Sequence, residues 1–224
     1  MNGHKTIAID GPSGAGKSSL ARRAARHFGI IYVDTGALYR AIALSMLRRN
    51  AETEEQIIGS LKELDVTLRY EDGEQHVFAN GEDVSGLIRT PEVTMAASRV
   101  SAIPAVRKYL FDLQQDLAKT HSVVMDGRDI GTVVLPNADV KIYLTASAEK
   151  RAMRRFLEMQ EKHIVGQTYE EVLADVIRRD EQDMNREIAP LKQAEDAVLV
   201  DTSDLDLDES ERLLLKVCKE KLET

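Results

Sequence analysis

Residues 11–18 read GPSGAGKS, the pattern G-x-x-x-x-G-K-S, between a short apolar run at Thr6–Asp10 and a helical spacing of Leu20, Ala24 and Phe28. A glycine-rich loop in that position commits the chain to a βα unit, with the loop at the C-terminal end of the strand. Backbone N–H groups of the loop and of the helix N-terminus then converge on anionic oxygens, which requires glycine where the chain turns tightly. Gly11, Pro12, Ser13, Gly14, Ala15, Gly16, Lys17 and Ser18 are therefore expected to cradle a nucleoside triphosphate. Lys17 reaches the terminal phosphates as a point charge, and the Ser18 hydroxyl is placed to ligate Mg²⁺.

The order that follows extends this unit. Gly29 stops the first helix, residues 30–33 form a second apolar run, and DTGALYR at residues 34–40 leads into a helical pattern through Leu38, Ile42 and Met46. A further helix is expected over residues 54–64. Between residues 66 and 84 the pattern changes, because alternating segments are punctuated by Asp72-Gly73 and Asn80-Gly81, strong hairpin signals. Helices are expected after Pro91 and from Pro104, buried strands at 122–125 and 140–144, and a charged helix at 147–161. Thr168 and Glu171 form a capping box that opens the next helix, and a last βα unit begins at 198. Short apolar strands alternating with helices imply a parallel sheet, with the site in loops at the strand C-termini. The hairpin insertion and the charged helix with its linker are expected as mobile flaps.

Composition narrows the partners. Hydrophobic residues at 43% and charged residues at 30% describe a soluble chain with no apolar run of membrane-spanning length. The N-terminus enters the first strand with no room for a secretion signal, so a cytoplasmic protein is expected. A net charge of −8 argues against a nucleic acid polymer as the main partner and for a small ligand. The lone Cys218 shares a helical face with Leu214 and Leu222 and is expected in the core.

Beyond the loop, three places carry chemistry. Residues 122–126 are apolar and end in Asp126, which suits an acid beside metal-bound phosphates; Asp10, also at a strand end, is the alternative. Arg128 and Asp129 follow directly, between Gly127 and Gly131, where glycine lets a ligand approach the backbone. Arg179, Asp183 and Arg186 are spaced by four and three, which puts them on one helical stripe continuing Val172 and Val176. Neither a guanine-reading Asn-Lys-x-Asp string nor an LSGGQ string occurs, which leaves small-molecule kinases as the leading class. A nucleotide-dependent switch that binds a protein is the rival from another class.

GPSGAGKS, DTGALYR, DVSGLIR at 83–89, DGRDIGT at 126–132 and NREIAPL at 185–191 together resemble bacterial cytidylate kinases, in the same order and over nearly the whole chain. The resemblance implies an α/β, P-loop three-layer fold with a parallel sheet, a small antiparallel β insertion in a monophosphate-binding region (36–104) and a helical lid (151–168), within one core spanning 1–224. It implies transfer of the γ-phosphoryl group of ATP to CMP or dCMP with Mg²⁺, by a monomer. By the same resemblance Arg40 and Arg128 hold the acceptor phosphate with help from Thr35. Ser98, Arg107, Asp129 and Arg186 read cytosine, and Arg179 and Asp183 hold the ribose. Cytosine presents an amino donor that a carboxylate such as Asp129 accepts from, whereas uracil presents a carbonyl there. Arg151, Arg154 and Arg155 are candidates for lid fingers, with Arg154 carried beside Lys17, Arg128, Arg179 and Arg186 as a catalytic residue. A kinase of another small acceptor, such as UMP or shikimate, is the nearest alternative.

Overall fold

The computed structural model describes residues 3–71, 73–164 and 166–223. Along the chain run β1 (Thr6–Asp10), α1 (Lys17–Phe28), β2 (Ile31–Asp34), α2 (Thr35–Arg48), α3 (Glu54–Leu61), β3 (Val66–Glu71), β4 (Glu74–Ala79), β5 (Glu82–Asp83), α4 (Pro91–Val100) and α5 (Pro104–Thr120). Then come β6 (Val123–Gly127), a single π-helical turn (Ile130–Val134), β7 (Val140–Thr145), α6 (Ala148–Glu161), α7 (Tyr169–Asn185), β8 (Val198–Asp201) and α8 (Leu207–Leu222). Five strands form a parallel sheet in the order β2-β6-β1-β7-β8, and β3, β4 and β5 form a separate antiparallel sheet. The chain divides into two compact units, one containing Ile31–Val123 and the other Lys5–Ile30 with Val124–Thr224.

In the second unit, Ile7 stands opposite Val140 and Ile9 opposite Ile142, all buried. Strands buried on both faces carry continuous apolar runs rather than alternation, which is why these segments were readable as parallel core strands. Helices α6 and α7 pack through Ala152, Val172 and Val176, with Phe156 and Tyr169 edge to face. The Thr168–Glu171 capping box forms as expected, and Cys218 is buried, its thiol pushed up to about 12 by desolvation.

The first unit is built around α2, whose Leu38, Ile42 and Met46 are buried with Ile57, Val84, Ile88, Val93 and Leu110. Each such side chain contributes about 1.5–3 kcal/mol on burial. Asn80 and Gly81 take positive φ, as a tight hairpin turn requires; of the other expected turn pair, Asp72 lies outside the described residues, as does Val165 in the 151–168 segment.

Two expectations are corrected. Helix α3 stops at Leu61 rather than 64, because the N–H groups of Lys62 and Leu64 turn back to Gly59 and Leu61. Asp65 then exchanges bonds with Asn80, its N–H to Oδ1 and its carbonyl to the Asn80 N–H, which directs the chain into β3. Arg186 does not continue the helical stripe. Helix α7 ends at Asn185 and Arg186 is extended, since the carbonyl oxygens of Asp183 and Glu181 are taken by the Leu191 N–H and the Asn185 side chain.

Candidate active site

The loop after β1 is held by close approach. Gly11 has φ +150°, and a Cβ there would stand 1.9 Å from the Leu144 carbonyl oxygen, so the loop can lie against β7 only with glycine at this point. Lys17, the first residue of α1, is buried and donates from Nζ to the Pro12 carbonyl at 2.7 Å. Burial, with the like charge of Arg128, holds its ammonium well below the usual lysine range.

Ser18 Oγ donates to Asp126 Oδ2 at 2.9 Å. A hydroxyl and a buried carboxylate this close offer two hard oxygen donors, the kind Mg²⁺ takes, with its remaining positions left to phosphates and water. Among the described residues no cluster of three or more His, Cys, Asp or Glu is assembled for a metal. Asp10 is engaged otherwise: Oδ1 accepts from the Ile130 N–H at 2.8 Å and Oδ2 from the Gly131 N–H at 2.7 Å. It anchors the π-helical turn, and burial raises its carboxyl to about 6, outweighing those two bonds.

The segment after β6 is tied to the end of α7 by two Arg–Asp pairs. Arg128 Nε donates to Asp183 Oδ2 at 2.7 Å, and Arg186 Nη2 lies 3.5 Å from Asp129 Oδ1 while its Nε donates to the Ala189 carbonyl at 2.7 Å. Asp129 is 5% exposed. Arg179 stands one turn before Asp183 on α7 and is half-buried, whereas Arg178 is exposed and pairs with Asp175. So Arg186, outside the helix, meets Asp129, with which the resemblance groups it, rather than Asp183, with which the spacing put it.

The three lid arginines differ in their surroundings. Arg151 is buried and forms two bonds to the Asp180 carboxylate at 3.0 and 2.6 Å, with further bonds to the carbonyls of Ser13 and Ala146. It braces α6, α7 and the phosphate loop. Arg154 donates to the Thr202 carbonyl at 2.7 Å, and half-buried Arg155 forms no ion pair among the described residues.

In the first unit, Asp34 caps α2 by accepting from the Ala37 N–H at 2.9 Å with Oδ1, and takes Arg40 Nη2 at 3.0 Å with Oδ2. Arg89 Nη2 lies 3.8 Å from the same carboxylate. Thr35 is buried, Ser98 is half-buried, and Arg107 donates to the Ser101 carbonyl at 3.2 Å with its guanidinium 5.7 Å from the centre of the Tyr39 ring. The buried Arg40 Nε has no hydrogen-bond partner among the described residues. Sequence reasoning missed Asp34 and Asp180. Asp34 was findable as an N-cap, an acid directly before a helical pattern; Asp180 carries no signal short of the fold itself.

A family profile described as cytidylate kinase matches residues 7–220. A cytidylate kinase of Thermosipho melanesiensis is 48% identical over 215 residues, 96% of this chain and 97% of that one. Another, of Caldicellulosiruptor bescii, is 50% identical over 91% of this chain and 90% of its own length. Among solved structures, a shikimate kinase from Bacteroides thetaiotaomicron shares the fold, with a TM-score of 0.51 at 15% identity over 98% of this chain and 99% of that chain.

Proposed function

The chain belongs to the cytidylate kinase family, and on that premise we propose that it transfers the γ-phosphoryl group of ATP to CMP or dCMP, releasing ADP and CDP or dCDP. The observation that carries the choice of acceptor is the buried Asp129, with Arg186 at 3.5 Å. A buried carboxylate accepts from the cytosine amino group and is left repulsive and unpaired against the carbonyl of uracil. Sites built on such bonds discriminate by factors of about 10⁴.

Phosphoryl transfer between phosphates asks the protein for in-line placement and charge neutralisation rather than acid–base chemistry. The loop residues 11–18 bind the triphosphate and Lys17 neutralises its terminal oxygens. Ser18 and Asp126 would hold Mg²⁺, which would supply positive charge to offset that of the phosphates. Arg128 turns toward the acceptor phosphate with Arg40 and Thr35, while Arg179 and Asp183 take the ribose, and Ser98 and Arg107 join Asp129 and Arg186 on the base. The pairing of Arg128 with Asp183 supports this division, since it fixes the direction of the guanidinium before any ligand arrives. Residues 36–104 act as the monophosphate-binding region and 151–168 as a lid that excludes water, with Arg154 stabilising the transferring group. The enzyme works as a monomer in the cytoplasm.

An acceptor panel tests the proposal. Initial rates with CMP, dCMP, UMP, AMP and shikimate at fixed ATP should be highest with the two cytidine nucleotides. Faster turnover of UMP or of a non-nucleotide would remove Asp129 as the base reader and the proposed acceptor with it.

A further inference from the structure

Gln75 belongs to none of the motifs above, yet its side-chain amide pairs with both backbone groups of Asp34. The Asp34 N–H donates to Gln75 Oε1 at 2.9 Å, and Gln75 Nε2 donates to the Asp34 carbonyl at 3.4 Å. Asp34 is the last residue of β2, an edge strand of its sheet. Edge strands present backbone groups with no ladder partner, and a carboxamide carries the same donor and acceptor as a peptide bond. Gln75 therefore stands in for one residue of a neighbouring strand. It is held there by the β3–β4 ladder, in which it lies opposite Tyr70.

What Asp34 holds gives this contact its consequence. One carboxylate oxygen caps α2 at Ala37, and the other takes Arg40. The space is tight: a Cβ at Gly36 would stand 3.1 Å from Arg40 Nη1 and 3.2 Å from Asp34 Oδ1. With one nitrogen on Asp34 and the guanidinium lying against Gly36, the direction of Arg40 follows the placement of the Asp34 backbone. Its Nε, buried and without a hydrogen-bond partner among the described residues, is then presented in a fixed direction.

We propose that Gln75 is a positioning residue: through Asp34 it sets the orientation of Arg40 toward the acceptor phosphate, so that the antiparallel sheet serves as a brace for the DTGALYR segment. The proposal rests on the function proposed above, which assigns Arg40 to that phosphate.

The test is a double-mutant cycle on the full-length enzyme with Gln75→Met, Arg40→Met and the pair, read as kcat/KM for CMP and KM for ATP, with amide hydrogen exchange as a readout independent of turnover. Methionine keeps the length of glutamine and deletes both bonds. Removing two hydrogen bonds should lower kcat/KM for CMP about tenfold, leave KM for ATP within about twofold, and speed exchange at Asp34 and Ala37. On the Arg40→Met background the same change should cost less than about twofold, because coupled sites are not additive. Equal losses on both backgrounds, parallel losses toward ATP, or unchanged exchange at Asp34 would overturn the brace while leaving the function standing. If Arg40→Met itself left CMP kinetics unchanged, the assignment of Arg40 to the acceptor would fall, and the role of Gln75 in it.

Discussion

Replacing Asp129 with asparagine isolates the group on which acceptor choice depends. The carboxylate is buried, and its neighbour Arg186 keeps a second anchor, the 2.7 Å bond to the Ala189 carbonyl, so the guanidinium stays in place when the charge is removed. The fold is thus little disturbed, and the change falls on the base. A hydrogen bond to a charged group is worth about 1.5–3 kcal/mol, and each 1.36 kcal/mol is tenfold in rate, which gives a loss of about 10- to 150-fold in kcat/KM for CMP. Asparagine also brings an N–H donor that the uracil carbonyl can accept from, so the preference for CMP over UMP should shrink by at least the same factor. KM for ATP should stay within about twofold. Coupled assay of ADP release with each acceptor reads all three quantities. An unchanged CMP-to-UMP ratio, or equal losses toward CMP and ATP, would refute the role given to Asp129.

Three further outcomes follow from the same geometry. Because the Asp10 carboxyl is raised from 3.8 to about 6, its contribution to stability is complete below pH 4 and lost as pH rises through 6, about 3 kcal/mol in all. Urea denaturation of Asp10→Asn at pH 4 and pH 7 should therefore show the variant gaining on the native protein by up to that amount at the higher pH; parallel pH profiles would contradict it. Since Lys17 is held below the usual lysine range, a bound triphosphate should raise it and draw up to about one proton from solution at pH 8.5. Calorimetry in buffers of different ionisation enthalpy should detect the uptake, and Lys17→Met should abolish it. Breaking the buried Arg151–Asp180 pair from one side leaves an uncompensated charge, so Arg151→Met should destabilise by about 3–5 kcal/mol, while Arg151→Met with Asp180→Leu recovers most of it. Equal thermal midpoints for the single and double variants would show that the pair does not brace the loop.

The parallel sheet and the phosphate loop were legible because local rules dominate there. Glycine at residue 11 has no substitute, buried strands must be apolar throughout, and the Thr168–Glu171 box names its own helix start. Legibility failed where a distant residue decides. Asn80 ends the α3 region by capturing Asp65, and Leu191 draws the chain out of α7 before Arg186 by taking the Asp183 carbonyl. The 4–3 spacing of Arg179, Asp183 and Arg186 failed at its last member, because Arg186 lies outside the helix and meets Asp129, a contact the spacing does not predict. Arg151 was grouped with the lid arginines by its position on a charged helix; only the fold supplies Asp180, which turns it into a buried brace. Asp34 and Gln75 escaped for a related reason: a carboxylate that orients an arginine, and an amide that completes a strand edge, have no spacing of their own.

The central claim is that the triphosphate held by the loop at residues 11–18 delivers its terminal phosphoryl group to a cytidine monophosphate. The direct measurement follows ATP labelled in the γ-phosphate, incubated with the protein, Mg²⁺ and CMP, with the products separated by chromatography. Label should appear in CDP in step with ADP formation, and with CMP absent almost none should be released. Label accumulating as inorganic phosphate at a rate indifferent to CMP would contradict the claim and identify a nucleotide hydrolase on the same fold.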